Sequence, residues 1–287
     1  MKKTSGIGAH GFTLVELMIA LVVGMVAMGA VYTVYAVHQK EYRNQQIRLS
    51  IQQDLRGALV ILEDQMRLAG YDPEDSGRFG ITDVRRYHLV DTRDDPDGQP
   101  AIFYTVDLDE SGDPDPRNSH RNKEHCNFRI RDDQETGRRY LAWDNGAGRN
   151  PLAENIQALG LAYGVDLDGD GRLDTWAGGA HPIWAVDTDN DNRLDTHLDT
   201  DNNGVIDEND DANGDLQITA GDGGAIDPPV PVTRIRAVQV WLLAMSPRPL
   251  QGHGDQSTYV VGDRIVKASG DGFVRRLAQT TIIGRNL

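Results

Sequence analysis

GFTLVELMIALVVGMVAMGAVYTVYAV, residues 11–37, decides the plan of the chain. Residues 12–37 form an apolar run whose only charge is Glu16. Residues 17–37 are all uncharged, and at about 1.5 Å per residue they are long enough as a helix to cross roughly 30 Å of hydrocarbon. Ahead of the run lies MKKTSGIGAHG, with Lys2 and Lys3 and no acid, so the leader is expected to stay cytoplasmic and the rest of the chain to lie across the membrane. A secretory signal peptide cut after the small-x-small triplet Ala27-Met28-Gly29 is the plain alternative. Glu16 argues against it, because a carboxylate costs about 2.5 to 3.5 kcal/mol at the centre of a membrane helix and needs a partner. None is evident nearby in the segment, and a neighbouring chain would supply one.

The helical pattern continues past the apolar run. Residues 38–68 are polar with an apolar stripe of Ile47, Ile51, Leu55, Leu59, Leu62 and Met66, spaced by four, four, four, three and four. No proline occurs before Pro73, and Gly70 and Pro73 supply a stop. A helix of about 55 residues, roughly 80 Å long, follows from this spacing. Its first half is apolar all round and its second half is amphipathic, so the second half needs a sheet against its stripe.

The segment GFTLVELMIAL resembles the class III signal of type IV pilins and type II secretion pseudopilins. The resemblance implies cleavage after Gly11 by a prepilin peptidase, N-methylation of Phe12, and pairing of Glu16 with the Phe12 amine of a neighbouring subunit. QDLRGALVILEDQMRLAGY (residues 53–71), PLAENIQALGLAYGVDLDGDG (151–171) and RRLAQTTIIGRNL (275–287) are similar to PilW-type minor pilins, and GspJ-type pseudopilins share parts of the pattern. The implied partners are other pilin or minor pilin subunits, prepilin peptidase, the inner membrane and a tip adhesin. The implied location is the bacterial inner membrane before assembly, then the pilus surface, with the body periplasmic or extracellular.

Beyond Gly70, short β-rich runs alternate with turn clusters: residues 79–84, 87–90, 101–106, 127–131 and 138–143, the last two flanking DDQETG as a hairpin. Residues 91–98 and 107–118 read as loops, and 151–160 as a short helix or an extended segment. Residues 161–165, 233–245, 258–265 and 274–283 read as strands. The fold class is α+β, a long N-terminal helix packed on an antiparallel sheet. The expected divisions are a leader (1–11), a membrane and assembly helix (12–37), an amphipathic helix (38–70), a β-rich body (71–165), an acidic insertion (166–227) and C-terminal strands (228–287). The single cysteine, Cys126, excludes an intrachain disulfide framework and reads as a free buried thiol.

The formal net charge of −15 is confined to one segment. Residues 166–227 hold 17 acidic residues and two basic ones, leaving the rest of the chain balanced at 27 of each. A basic face for duplex nucleic acid is therefore not expected. The acids are spaced. Four twelve-residue units appear: DLDGDGRLDTWA from Asp166, DTDNDNRLDTHL from Asp187, DTDNNGVIDEND from Asp199 and DANGDLQITAGD from Asp211, termed loops A to D.

Each loop carries Asp or Asn at positions one, three and five, which puts three oxygen ligands on one side of a tight turn, as a hard cation such as calcium requires. The candidate ligands are Asp166, Asp168, Asp170, Arg172 and Asp174 in loop A, and Asp187, Asp189, Asp191 and Asp195 in loop B. In loop C they are Asp199, Asp201, Asn203, Asp207 and Asp210, and in loop D Asp211, Asn213, Asp215 and Asp222. Position six must turn sharply and is Gly171, Asn192, Gly204 or Leu216. Position eight is always aliphatic (Leu173, Leu194, Ile206, Ile218), as expected of an anchor into a core. The units resemble EF-hand, dockerin and thrombospondin type-3 loops. They depart from the EF-hand at position twelve, which is Asp210 or Asp222 in two loops but Ala177 or Leu198 in the others, so loops A and B need a ligand from elsewhere or water, or are weak sites. DLDESGDPD from Asp107 has similar spacing, but its Pro114 reads as a turn.

No HExxH, GxSxG or Walker A pattern occurs, and the reading is non-enzymatic. The functional expectation is a minor pilin of a type IV pilus, acting in assembly, priming or tip structure, with calcium-stabilised loops. A GspJ-like pseudopilin and a membrane-anchored calcium-dependent adhesion module are the alternatives.

Overall fold

The computed structural model describes residues 12–89, 98–114, 123–133, 135–146, 148–250 and 252–287. The leader 1–11, with Gly11, lies outside them, as do the expected loop residues 91–97 and 115–118, Val90 at the end of one expected run and Gln134 in the expected hairpin.

One helix, α1 (Leu14–Met66), has 53 residues, as the periodicity predicts. Two compact units divide the chain, Met1–Ile47 and Arg48–Leu287. In the first, every described residue of the apolar run is exposed, from Phe12 to Val37. The run is long and apolar enough to cross a membrane. In the second unit, α1 buries Ile51, Leu55, Ala58, Leu62 and Met66. This corrects the expected stripe: Leu59 is half-buried and Ala58 takes its place. Three successive steps of four overshoot a 3.6-residue turn, and a step of three at Ala58 brings the stripe back. Past Met66 the chain turns out of the helix and leaves it at Gly70, whose positive φ of 76° suits glycine and whose N–H donates to Thr105 O at 3.0 Å.

The rest of the Arg48–Leu287 unit is built on two antiparallel sheets. The first comprises β1 (Ile81–Asp83), β3 (Gln99–Thr105), β4 (His125–Asp132), β5 (Arg139–Asp144) and β6 (Arg149–Glu154) in that order, with β2 (Arg86–Tyr87) also on β3. The β4–β5 hairpin forms as predicted, with Phe128 opposite Trp143 and Ile130 opposite Leu141. Residues 151–160, left open between helix and extended chain, belong to β6 and to β7 (Ile156–Val165).

The second sheet runs β10 (Ala225–Pro231), β9 (Arg193–His197), β8 (Trp184–Val186), β7, β11 (Ile235–Met245) and β14 (Arg275–Ile283). The central strands β7 and β11 are buried on both faces for most of their length, which is why they read as near-continuous apolar runs. The expected strand over 258–265 is instead a hairpin, β12 (Thr258–Val261) and β13 (Arg264–Lys267). Gly262 provides its turn with a φ of 65°, and the hairpin lies directly on β7: a Cβ at Gly160 would fall 2.5 Å from the carbonyl carbon of Val261.

The acidic segment is woven into this sheet. Strands β8 and β9 lie inside residues 166–227, and the segment's ends fall just after β7 and within β10. The aliphatic anchors behave as expected of a folded segment. Leu194 and Ile218 are fully buried, and Ile218 joins Leu198, Trp241, Leu243 and Val261 in one core cluster against which Ile206 packs. Leu173 lies over Gly164, where a Cβ would come 3.0 Å from its Cδ2.

Leu62→Ala should destabilise the body by about 3 kcal/mol, since it removes a fully buried side chain and leaves a cavity. Val60→Ala, on the exposed face of the same helix, should change stability by less than about 0.5 kcal/mol. Denaturant unfolding in detergent compares the two.

Candidate metal centre

Each loop is built around the carboxylate at its first position. Asp166 accepts the Gly169 N–H at 2.6 Å on one oxygen and the Gly171 N–H at 3.0 Å on the other. Asp187 does the same with Asn190 (2.7 Å) and Asn192 (2.8 Å). Asp199 accepts from Asn203 (3.0 Å) and Gly204 (2.8 Å), and Asp211 from Gly214 and Leu216, both at 2.8 Å. The sixth position turns left-handed in all four, with φ between 70° and 88°, including Asn192 and Leu216. Leu216 adopts this geometry although an aliphatic side chain disfavours it.

Further along, Asp168, Asp189 and Asn213 each accept the N–H of position five. Asp170, Asp191, Asn203 and Asp215 each accept that of position seven, which in loop A is Arg172. Asp201 accepts from both the main chain and the side chain of Asn203.

The missing twelfth ligand of loops A and B has a local substitute. Asp174, at position nine, accepts the Leu167 N–H at 2.5 Å, and Asp195 accepts from Thr188 Oγ1 at 2.8 Å. In loops C and D the residue at position twelve closes the loop: Asp210 accepts the Thr200 N–H at 2.6 Å and Asp222 the Asn213 N–H at 3.1 Å. Asp207 instead caps a short 3-10 turn (Glu208–Asp210) through the Asn209 N–H at 2.8 Å. The result is three convergent carboxylate sets, each with oxygens within 4.8 Å of one another: Asp166, Asp168 and Asp174; Asp187, Asp189 and Asp195; Asp199, Asp201 and Asp210. Cations lie against the first of these sets: Arg236 Nε is 3.3 Å from Asp166 Oδ2, and the positive charge of Arg234 also favours the ionised Asp166.

The unit from Asp107, read as a turn, has the same construction. Asp107 is fully buried and accepts the Ser111 and Gly112 N–H groups, both at 3.1 Å. Glu124, just ahead of β4, closes it by accepting the Leu108 N–H at 3.2 Å, and Asp107, Asp109 and Glu124 converge within 4.8 Å. Glu124 is invisible to a twelve-residue frame because it lies far along the chain and is brought in by the sheet.

Burial pushes the Asp187 carboxyl up to about 6, and Asp189 and Asp195 add to the effect. Burial also raises Asp210 and lowers His197, whose ring stacks 4.6 Å from Trp176. Cys126 is the buried free thiol expected, raised to about 11 by burial and so unreactive near neutrality. At the N-terminus, Glu16 has a partner in its own helix: its carboxylate accepts from the Thr13 N–H and hydroxyl, both at 2.9 Å, and its N–H donates to Thr13 Oγ1 at 3.3 Å. This capping box corrects the expectation that no nearby group answers the charge, because T-x-x-E places the two residues one turn apart.

For the metal-free protein, the Asp187 shift has a definite sign. The folded form holds its proton more tightly than the unfolded chain, so this group's contribution to stability is lost as pH rises from 3.8 towards 6. The loss should be on the order of 2 kcal/mol, and Asp187→Asn should remove it. Denaturant unfolding in chelator at several pH values measures both.

Comparison with known proteins gives two profile matches. The profile of type IV pilus-assembly protein W matches residues 133–286, and that of the prokaryotic N-terminal methylation motif matches residues 8–32. No curated protein matches the chain. Among solved structures, a type IV-like pilin from Thermus thermophilus is similar at 14% identity, covering 82% of this chain and 97% of that one, with a TM-score of 0.40. The assembly-protein profile spans more than half of the sequence, including β7, β11 and β14 with the four loops between, and the chain belongs to the PilW family of type IV pilus-assembly proteins.

Proposed function

We propose that this chain works as a calcium-stabilised minor pilin, processed after Gly11, methylated at Phe12 and held in the inner membrane by its apolar helix until assembly. Other pilin subunits and prepilin peptidase are its partners. A priming or tip position, with the body periplasmic and then on the pilus surface, completes the reading, and the role is structural, without catalysis. The observation that carries it is the joining of two features in one chain: an apolar helix that carries a methylation motif, and four convergent carboxylate sets, three of them in the acidic repeats. Glu16 sets subunit registry by exchanging its Thr13 partner for the amine of a neighbouring subunit, which leaves no charge unpaired in lipid.

Calcium fits the donor set, which is all oxygen and mostly carboxylate. Extracellular calcium loops work with Kd values of about 10⁻⁴ to 10⁻³ M, so the exported location supplies the ion. Loops B and C fill first. Loop A fills later because Arg236 already offsets the charge of Asp166.

Two outcomes follow. The chain is expected in sheared filaments with methylated Phe12 as its first residue, and Glu16→Ala is expected to remove it from them. An N-terminus at Ala30 would contradict the processing model, and recovery only with a secretion apparatus would favour a pseudopilin. Chelation should lower the melting temperature and open residues 166–227 to protease selectively. Each site held at tenfold excess over its Kd contributes about 1.4 kcal/mol. Identical melting and proteolysis with and without chelator would refute the calcium reading.

A further inference from the structure

Loop B touches the first sheet as well as the second. Its Asn192 side chain accepts the Val84 N–H at 3.0 Å and donates to Thr82 O at 3.1 Å. Asn190 accepts the Arg86 N–H at 2.6 Å. Residues 82, 84 and 86 present their main-chain groups on one edge of the β1–β2 segment, and the two asparagines take the place of a pairing strand there. No strand of one sheet pairs with a strand of the other among the described residues. The Arg86 side chain continues the junction: it forms a buried ion pair with Asp263, whose carbonyl accepts the Ile218 N–H of loop D at 2.7 Å. Both asparagines have left-handed backbones, with φ of 66° and 70°, and the Asp187 carboxylate fixes both N–H groups. Only loop B has asparagine at both places: loops A and D have Gly169 and Gly214 where it has Asn190, and loop C, with Asn202 there, has Gly204 where it has Asn192.

We infer that Asn190 and Asn192 form a clasp between the two sheets, and that calcium in loop B closes it. The inference rests on the calcium reading above and adds the regulation of that site. With the ion bound, Asp187, Asp189 and Asp195 converge, and Asp187 holds the two asparagine N–H groups in register with residues 82–86. Without it, the three carboxylates repel, Asp187 moves, and the clasp three and five residues along opens. Calcium then stiffens the joint between the sheets as well as the loop, and the body becomes rigid on reaching a calcium-containing compartment.

Amide hydrogen exchange on the full chain in detergent, with calcium and after chelation, tests this. The protection of the Val84 and Arg86 amides should fall at least tenfold on chelation. In the Asn190→Gly/Asn192→Gly variant, where glycine keeps the left-handed backbone, protection should be low in both conditions while calcium uptake matches the wild type. The single Asn190→Gly variant should lose protection at Arg86 and keep it at Val84. Calcium uptake with unchanged protection at both amides on chelation would overturn the clasp and leave the calcium reading intact. Absence of calcium uptake by the wild type would overturn both.

Discussion

A buried carboxylate that accepts two backbone N–H groups from the turn it heads is the interaction on which the acidic half of this protein depends. Asp187 and Asp199 each bridge two amides within six residues, and both are almost fully buried at the edge of the second sheet. Such bonds compensate part of the desolvation that burial costs, and they fix the turn that aims positions three and five at the same point. The burial of Leu194 and Ile218 follows, because a turn held in this way delivers position eight to the core. A segment carrying the whole net charge of the chain therefore forms strands β8 and β9 of a sheet.

The N-terminal helix and the acidic loops answer one electrostatic problem in different ways. In the helix, Glu16 meets the capping geometry of Thr13, whose N–H and hydroxyl both donate to its Oε2 without a second charge. In the loops, three carboxylates converge and accept main-chain N–H bonds, and a divalent ion is the partner proposed above for the charge these bonds leave.

Much of this was legible in the sequence, and what was not has specific causes. The helix was readable because an unbroken apolar run and a helical period leave few alternatives, yet the buried face was misplaced at Leu59, since Ala58 is too small to announce itself as a core residue. Positions one, three, five and eight of the loops could be read because they recur at a fixed spacing. The closing residues could not all be read. Asp174 and Asp195 do at position nine what Asp210 and Asp222 do at position twelve, and Glu124 closes its loop from outside any frame. Asn192 reads as a turn residue because position six must turn sharply, and nothing in the repeat singles out Asn190; the cross-sheet bonds of both depend on where β1 and β2 fall.

Counting calcium ions on the intact chain tests the account most directly. Native mass spectrometry of the detergent-solubilised protein, titrated with calcium to millimolar concentration, should show at least two ions bound per chain. An Asp187→Asn/Asp199→Asn variant should lose two of them. A wild-type chain that stays free of calcium, or a variant that binds as many ions as the wild type, would contradict it.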